Sequence, residues 1–281
     1  MLNDFSLEEA QKAVKSITIP PRPKLLKEVN TELQKANPDA NRVAGRIAKD
    51  VGLSAAVLKV INLPFFGLDS KVSSIPDAVH LLGMNNVKHV ITGMMMKTAL
   101  GSGEAMMLER FWDSSEKIAR ISAYLASILP KVPPDEAYTF GLLRECGIPL
   151  LMQRFPDYME TLKIASGQNE PMPVIEDQRH GTNHAVVGFM AAKSWGLSDV
   201  MSGAILRHHD YDIFSDSDDA PPLVRTLVAI NFLAEYLNDE ILRMRDSPAW
   251  SAVGDAVLEH LGIGAGEFGE LREDVGAFVN P

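Results

Sequence analysis

The stretch ILRHHDYDIF, residues 205–214, sets His208, His209, Asp210 and Asp212 within five positions. Imidazole nitrogens and carboxylate oxygens are the donors that zinc, manganese and iron take from proteins, so a divalent-metal site is the chemistry such a group suggests. A second pair, His180 and His184 in RHGTNHAVVG, has the four-residue spacing at which one helix presents two imidazoles to one ion. Gly181 and Asn183 stand between them. Glycine favours the position after a helix, and Thr or Asn the position before one. His180 and His184 are therefore expected on two different helices, which weakens the spacing as a metal signal. His208 and His209 close a helix expected to begin after Ser198. Adjacent helical residues point about 100° apart, so both face one ion only if the helix ends at them. The same residues have a plainer role open to them. Arg207, His208 and His209 in a last turn complement the negative end of the helix dipole. His80, His89 and His260 join no such group.

The elements that position these side chains read as helices. Ser6–Glu9 (SLEE) is a capping box, and Ser74 with Asp77 repeats the device ahead of a helix that Gly83 closes. Apolar residues recur at helical spacing in Leu25, Val29, Leu33 and again in Val43, Ile47, Val51. Period-2 alternation and Asn-Gly hairpin signals are absent, so an all-α fold is expected. Gly101–Gly103 (GSG) is the expected hinge between an N-terminal helical lobe, 1–103, and a larger lobe, 104–281.

Charge and composition narrow the functions. The 281 residues carry 27 basic and 37 acidic side chains, a net charge of −10 that disfavours nucleic acid and anionic lipid as partners. Cys146 is the only cysteine, which excludes an intrachain disulfide and a cysteine-based zinc cluster. It sits in an apolar helix and reads as a buried structural thiol. The N-terminus lacks the basic-then-apolar order of a signal peptide and no apolar run is long enough to span a bilayer, so a cytoplasmic location is expected. Walker and GxSxG motifs are absent. GMMMKTALGSGEAMML gathers five of the thirteen methionines; core packing is the plainer reading, adaptable binding the other.

Many short motifs occur together in order: IPPRPKLLKEV, IAKDVGLSAAVLKVINLPFFGLDSKVSSIPDAVHLLG, FWDSS, AYTFGLLRECGIPLL, NHAVVGFMAAKSWGL and AILRHH. In this the chain resembles the bacterial HDOD family, the HD-related output domain, within the HD metal-dependent phosphohydrolase superfamily, from about Ile19 to the last residues. The resemblance implies a two-lobed helical fold. It also implies where an intact metal site would lie. Ser114 stands where members with that site have a histidine, and Arg144-Glu145 where they have the His-Asp pair. His184 and one or both of His208 and His209 match later ligands, and Asn231 falls near a final aspartate. Serine is a poor ligand, neutral asparagine a weak one, and arginine has no lone pair to give. Charges of +1 and +2 about 6 Å apart repel by roughly 5 kcal/mol at an effective dielectric of 20, so Arg144 opposes a metal.

The resemblance thus implies a non-catalytic signal-transduction module with a degenerate site, no cofactor, and an unidentified protein partner or small ligand. Its alternative is a divergent phosphohydrolase acting on a nucleotide or phosphate ester. In that case manganese, zinc or iron would be held by Glu145, His184, His208 and His209. Arg144 is expected to replace the metal's charge by pairing with Glu145 or Asp210.

Overall fold

The computed structural model describes residues 17–281 except 69, 102–104, 130, 168–169, 216–217, 241–247 and 280–281. Helices α1 (Lys24–Leu33), α2 (Ala40–Ile47), α3 (Val51–Ile61), α4 (Ile75–Leu82) and α5 (Met84–Leu100) come first. They are followed by α6 (Ala105–Ile128), α7 (Pro134–Leu143), α8 (Gly147–Arg154), α9 (Tyr158–Gly167), α10 (Met172–His180), α11 (His184–Trp195) and α12 (Asp199–Arg207). The chain closes with α13 (Pro222–Asn238), α14 (Pro248–Leu261) and α15 (Ala265–Val279). No strand occurs among the described residues, as the sequence periodicity requires. None of their helices is long and apolar enough to cross a membrane.

Short polar side chains start these helices by accepting from otherwise free amides. Ser74 accepts from the Asp77 amide, Asn183 from Val186 and Ser198 from Met201. Gly181 ends α10 at φ 68°, a left-handed conformation that favours glycine, so His180 and His184 do lie on different helices. The Val43–Ile47–Val51 series is not one helix. Asp50 caps a new helix by accepting from Leu53, and Val51 in its first turn is exposed. The box at Ser6–Glu9 lies outside the described residues, as does most of the Gly101–Gly103 hinge.

Helices α7 and α13 run through the centre. Ala137 to Leu143 are buried without interruption, as are Thr226 to Ala234. The N-terminal helices join the same core, with α5 packed on α7 and His89 Nδ1 2.8 Å from Asp135 Oδ2. His89, given no role from the sequence, therefore ties the two parts together. Trp195 Nε1 donates to the Pro20 carbonyl at 2.8 Å, which fixes the segment before α1 against α11. The functional part of the fold is the turn between α7 and α8, residues 144–146, which crosses the start of α11. A Cβ on Gly147 would stand 2.0 Å from the His184 carbonyl oxygen, so only glycine admits this crossing.

Gly147→Ala is therefore expected to destabilise the protein by more than about 3 kcal/mol in urea unfolding. Gly45→Ala, in an exposed helix interior with nothing within 4 Å of the new methyl, should stabilise it by roughly 0.5–1 kcal/mol. Equal stability of the Gly147 variant and the parent would contradict the close crossing.

Candidate functional site

Three segments bring polar groups into the core at one point. The turn after α7 supplies Arg144 and Glu145, the first turn of α11 supplies His184, and the end of α12 supplies His208 and His209. Because α12 stops at Arg207, the two adjacent histidines escape the helical angle and face the same point. His184 Nε2 lies 3.0 Å from His209 Nε2, 3.3 Å from His208 Nε2 and 3.0 Å from Glu145 Oε2. His208 Nε2 is 3.6 Å from the same oxygen, and all four donor atoms fall within 4.8 Å of one another.

The far sides of two rings are tied down. His184 Nδ1 sits 2.6 Å from Glu176 Oε2, which also accepts the His184 backbone N–H at 3.1 Å. Tyr158 donates its hydroxyl proton to the other Glu176 oxygen. His208 Nδ1 donates to the Ile205 carbonyl at 2.7 Å, which leaves its Nε2 lone pair facing the cluster. Glu176 and His184 are fully buried and His208 nearly so. Burial disfavours charge on His184, but Glu176 and Glu145 outweigh it and raise its pKa to about 10. The same burial, together with His208 and His184, pushes His209 well below the ordinary imidazole value. Glu145 stays well below the ordinary carboxylate value because His184 and His208 overcome its burial. His184, held between Glu176 and Glu145, is the imidazole of this cluster whose charged form its neighbours favour.

Arg144 is buried beside it but turns away. Its Nε donates to Glu235, its Nη1 donates to the Gly141 carbonyl at 2.8 Å, and Glu145 Oε1 lies 3.9 Å off. The expected pairing with Glu145 is thus present but secondary, and Asp210 is not a partner. Asp210 is only three residues from Arg207, which takes it at 2.7 Å and also binds Asp218. Asn231 donates to Glu235 at 3.0 Å, one helical turn along α13. Ser114 stands half-buried on α6. His180 is not in the cluster; its Nε2 lies 2.8 Å from the Thr161 hydroxyl and its ring stacks on Phe155. Cys146 is a buried thiol whose pKa burial and Glu145 push up to about 12.

The donor set fits one divalent ion. Three imidazole nitrogens and one carboxylate oxygen converge, and the Ile205 and Glu176 acceptors hold two rings in the tautomer that ligation uses. Neutralisation of Arg144 by Glu235 removes much of the repulsion that argued against a metal. Glu176 and Glu235 were missed from sequence. Glu235 is one turn beyond Asn231 in LVAINFLAEYL and so was readable as a same-face neighbour. Glu176, on the helix before the Gly181 turn, carries no such signal.

The family model described as the HDOD domain matches residues 19–211. A curated protein of Treponema pallidum (strain Nichols) is 23% identical over 228 residues, covering 79% of this chain and 43% of its own. The chain thus spans less than half the length of that relative. A solved structure from Shewanella amazonensis SB2B, named for a phosphohydrolase, superposes with a TM-score of 0.70 at 22% identity, covering 98% of this chain and 97% of the other. One from Marinobacter aquaeolei VT8, named for signal transduction, gives 0.65 at 20% identity, covering 97% of this chain and 64% of the other. At these identities the two structures show a shared fold.

The Arg144 contacts yield a direct expectation. Arg144→Ala takes the guanidinium from Glu235 and the Gly141 carbonyl and should lower the unfolding free energy by about 3 kcal/mol. Asp210→Ala should cost less, since Arg207 keeps Asp218. Urea unfolding of both variants checks the order, and an Arg144 variant as stable as the parent would contradict it.

Proposed function

The chain belongs to the HDOD-domain family, and from that premise and the geometry of its polar core we propose that it is a non-catalytic regulatory module of a bacterial signalling system. The single observation that carries this is the saturated donor set. Glu145, His184, His208 and His209 would hold one zinc ion with four protein ligands, the number of a closed structural site, whereas hydrolytic zinc sites keep a position open. Where such a position is open, a divalent ion supplies Lewis acidity and a hydroxide at neutral pH. Here the groups that complete an intact superfamily site are replaced. Arg144 is spent on Glu235 and Gly141, and Asn231 is a neutral side chain bonded to the same Glu235. The chain's own residues hold rather than transfer: Glu176 fixes the His184 ring and its proton, Ile205 fixes His208, and Arg144 locks the turn that carries Glu145. The module then acts through its helix surfaces on a signalling protein or under the control of a small ligand.

A divergent phosphohydrolase acting on a nucleotide or phosphate ester is the second reading, favoured by the convergence of the same four donors. The two separate in one experiment on protein purified without a histidine tag. One zinc ion per chain, lost in His184→Ala, is expected without turnover of bis(4-nitrophenyl) phosphate or nucleotides. Metal-dependent turnover that disappears in His184→Ala would overturn the regulatory reading.

A further inference from the structure

Glu176 on α10 touches a candidate ligand, His184, without being a ligand itself. Its side chain is fully buried, and three donors converge on its two oxygens. His184 offers Nδ1 at 2.6 Å and its backbone N–H at 3.1 Å to Oε2, and the Tyr158 hydroxyl donates to Oε1. Donors at both oxygens suit the ionised form, which has no proton of its own to place. A buried carboxylate needs a positive charge, and its ion-pair partner here is His184. Whatever cation this carboxylate meets, it meets through that ring.

The ring carries the effect to the cluster. Its Nε2, opposite Nδ1, is one of the four donor atoms that converge with Glu145, His208 and His209. A divalent ion held by three neutral imidazoles and Glu145 would leave one positive charge over in the core. Glu176, one imidazole away, cancels it. Arg144 and Glu235 cancel each other and do not alter the count. Asp177, half-buried and bonded to Asn183, is screened by solvent. A monovalent ion in the same place would leave one negative charge over. Buried charges are costly unless answered, so the divalent ion is the balanced one.

From this we infer that Glu176 is a specificity-determining residue of the cluster: acting through His184, its charge selects a divalent ion over a monovalent one. Selection of this kind rests on the reading that the four donors hold one ion, and it holds whether or not that ion hydrolyses anything. Coulomb attraction grows with the charge of the ion. A carboxylate one ring away therefore favours +2 over +1 by about a hundredfold in affinity at an effective dielectric of 20. Tyr158 has the lesser part of keeping the carboxylate in place.

The test titrates zinc(II) and copper(I), both closed-shell ions without ligand-field preference, anaerobically into the full chain against chromophoric chelators. Glu176→Gln removes the charge and keeps the contacts, since its amide oxygen accepts from His184 and its amide nitrogen donates to the Tyr158 hydroxyl. The ratio of zinc to copper(I) affinity is expected to fall about a hundredfold in this variant. Tyr158→Phe keeps the charge and is expected to leave the ratio as in the parent. Should Glu176→Gln unfold without metal, the zinc and copper(I) concentrations that restore its thermal transition give the same ratio. Where the parent binds zinc, three results would overturn the assignment alone: an unchanged ratio in Glu176→Gln, an equal fall in Tyr158→Phe, or a Glu176→Gln chain that neither ion restores. No zinc binding by the parent would overturn both the assignment and the four-donor reading.

Discussion

The Glu176 carboxylate is fully buried, and a buried carboxylate persists only where donors satisfy its oxygens and a positive charge answers its own. Its donors come from two other helices: the Tyr158 hydroxyl on α9, and the His184 backbone and ring on α11. The ring that meets this demand has its other nitrogen turned toward Glu145, His208 and His209. The orientation of the whole cluster thus follows from one carboxylate on α10. The crossing at Gly147 is the steric counterpart, since only there does the turn bearing Glu145 come close enough to α11.

A second charge balance lies beside the first. Arg144 occupies the place where an intact superfamily site is expected to put a histidine, and it answers first to Glu235 and the Gly141 carbonyl of α7, and only at 3.9 Å to Glu145 of the cluster. Asn231 adds a donor to the same Glu235. Arg144, Glu235 and Asn231 thus form a hydrogen-bonded ion pair of their own beside the cluster. The cluster itself offers four donors, enough to close the coordination of a tetrahedral zinc ion. This asymmetry is the physical content of the regulatory proposal.

Local signals were legible and long-range ones were not. Ser74, Gly181, Asn183 and Ser198 cap helices where their side chains or conformational freedom require it, because capping depends on residues only two or three apart. Asp50 shows the opposite error: the apolar period through Val51 runs straight over a helix start. The family resemblance located Glu145, His184, His208 and His209, but not what balances them. Asp210 is close to Arg144 in no sequence sense, and the fold pairs it with Arg207, three residues before it. Glu176 was invisible because its role depends on the approach of α9, α10 and α11, which no spacing encodes.

A regulatory role without hydrolysis requires that a bound zinc ion meet a closed set of protein donors. X-ray absorption at the metal edge of the zinc- or cobalt-loaded protein counts those donors directly. Three imidazole nitrogens and one carboxylate oxygen, with no exchangeable water, are predicted. A bound water or an expanded coordination sphere would contradict the claim, because it would mean that the position needed for hydrolysis is open after all.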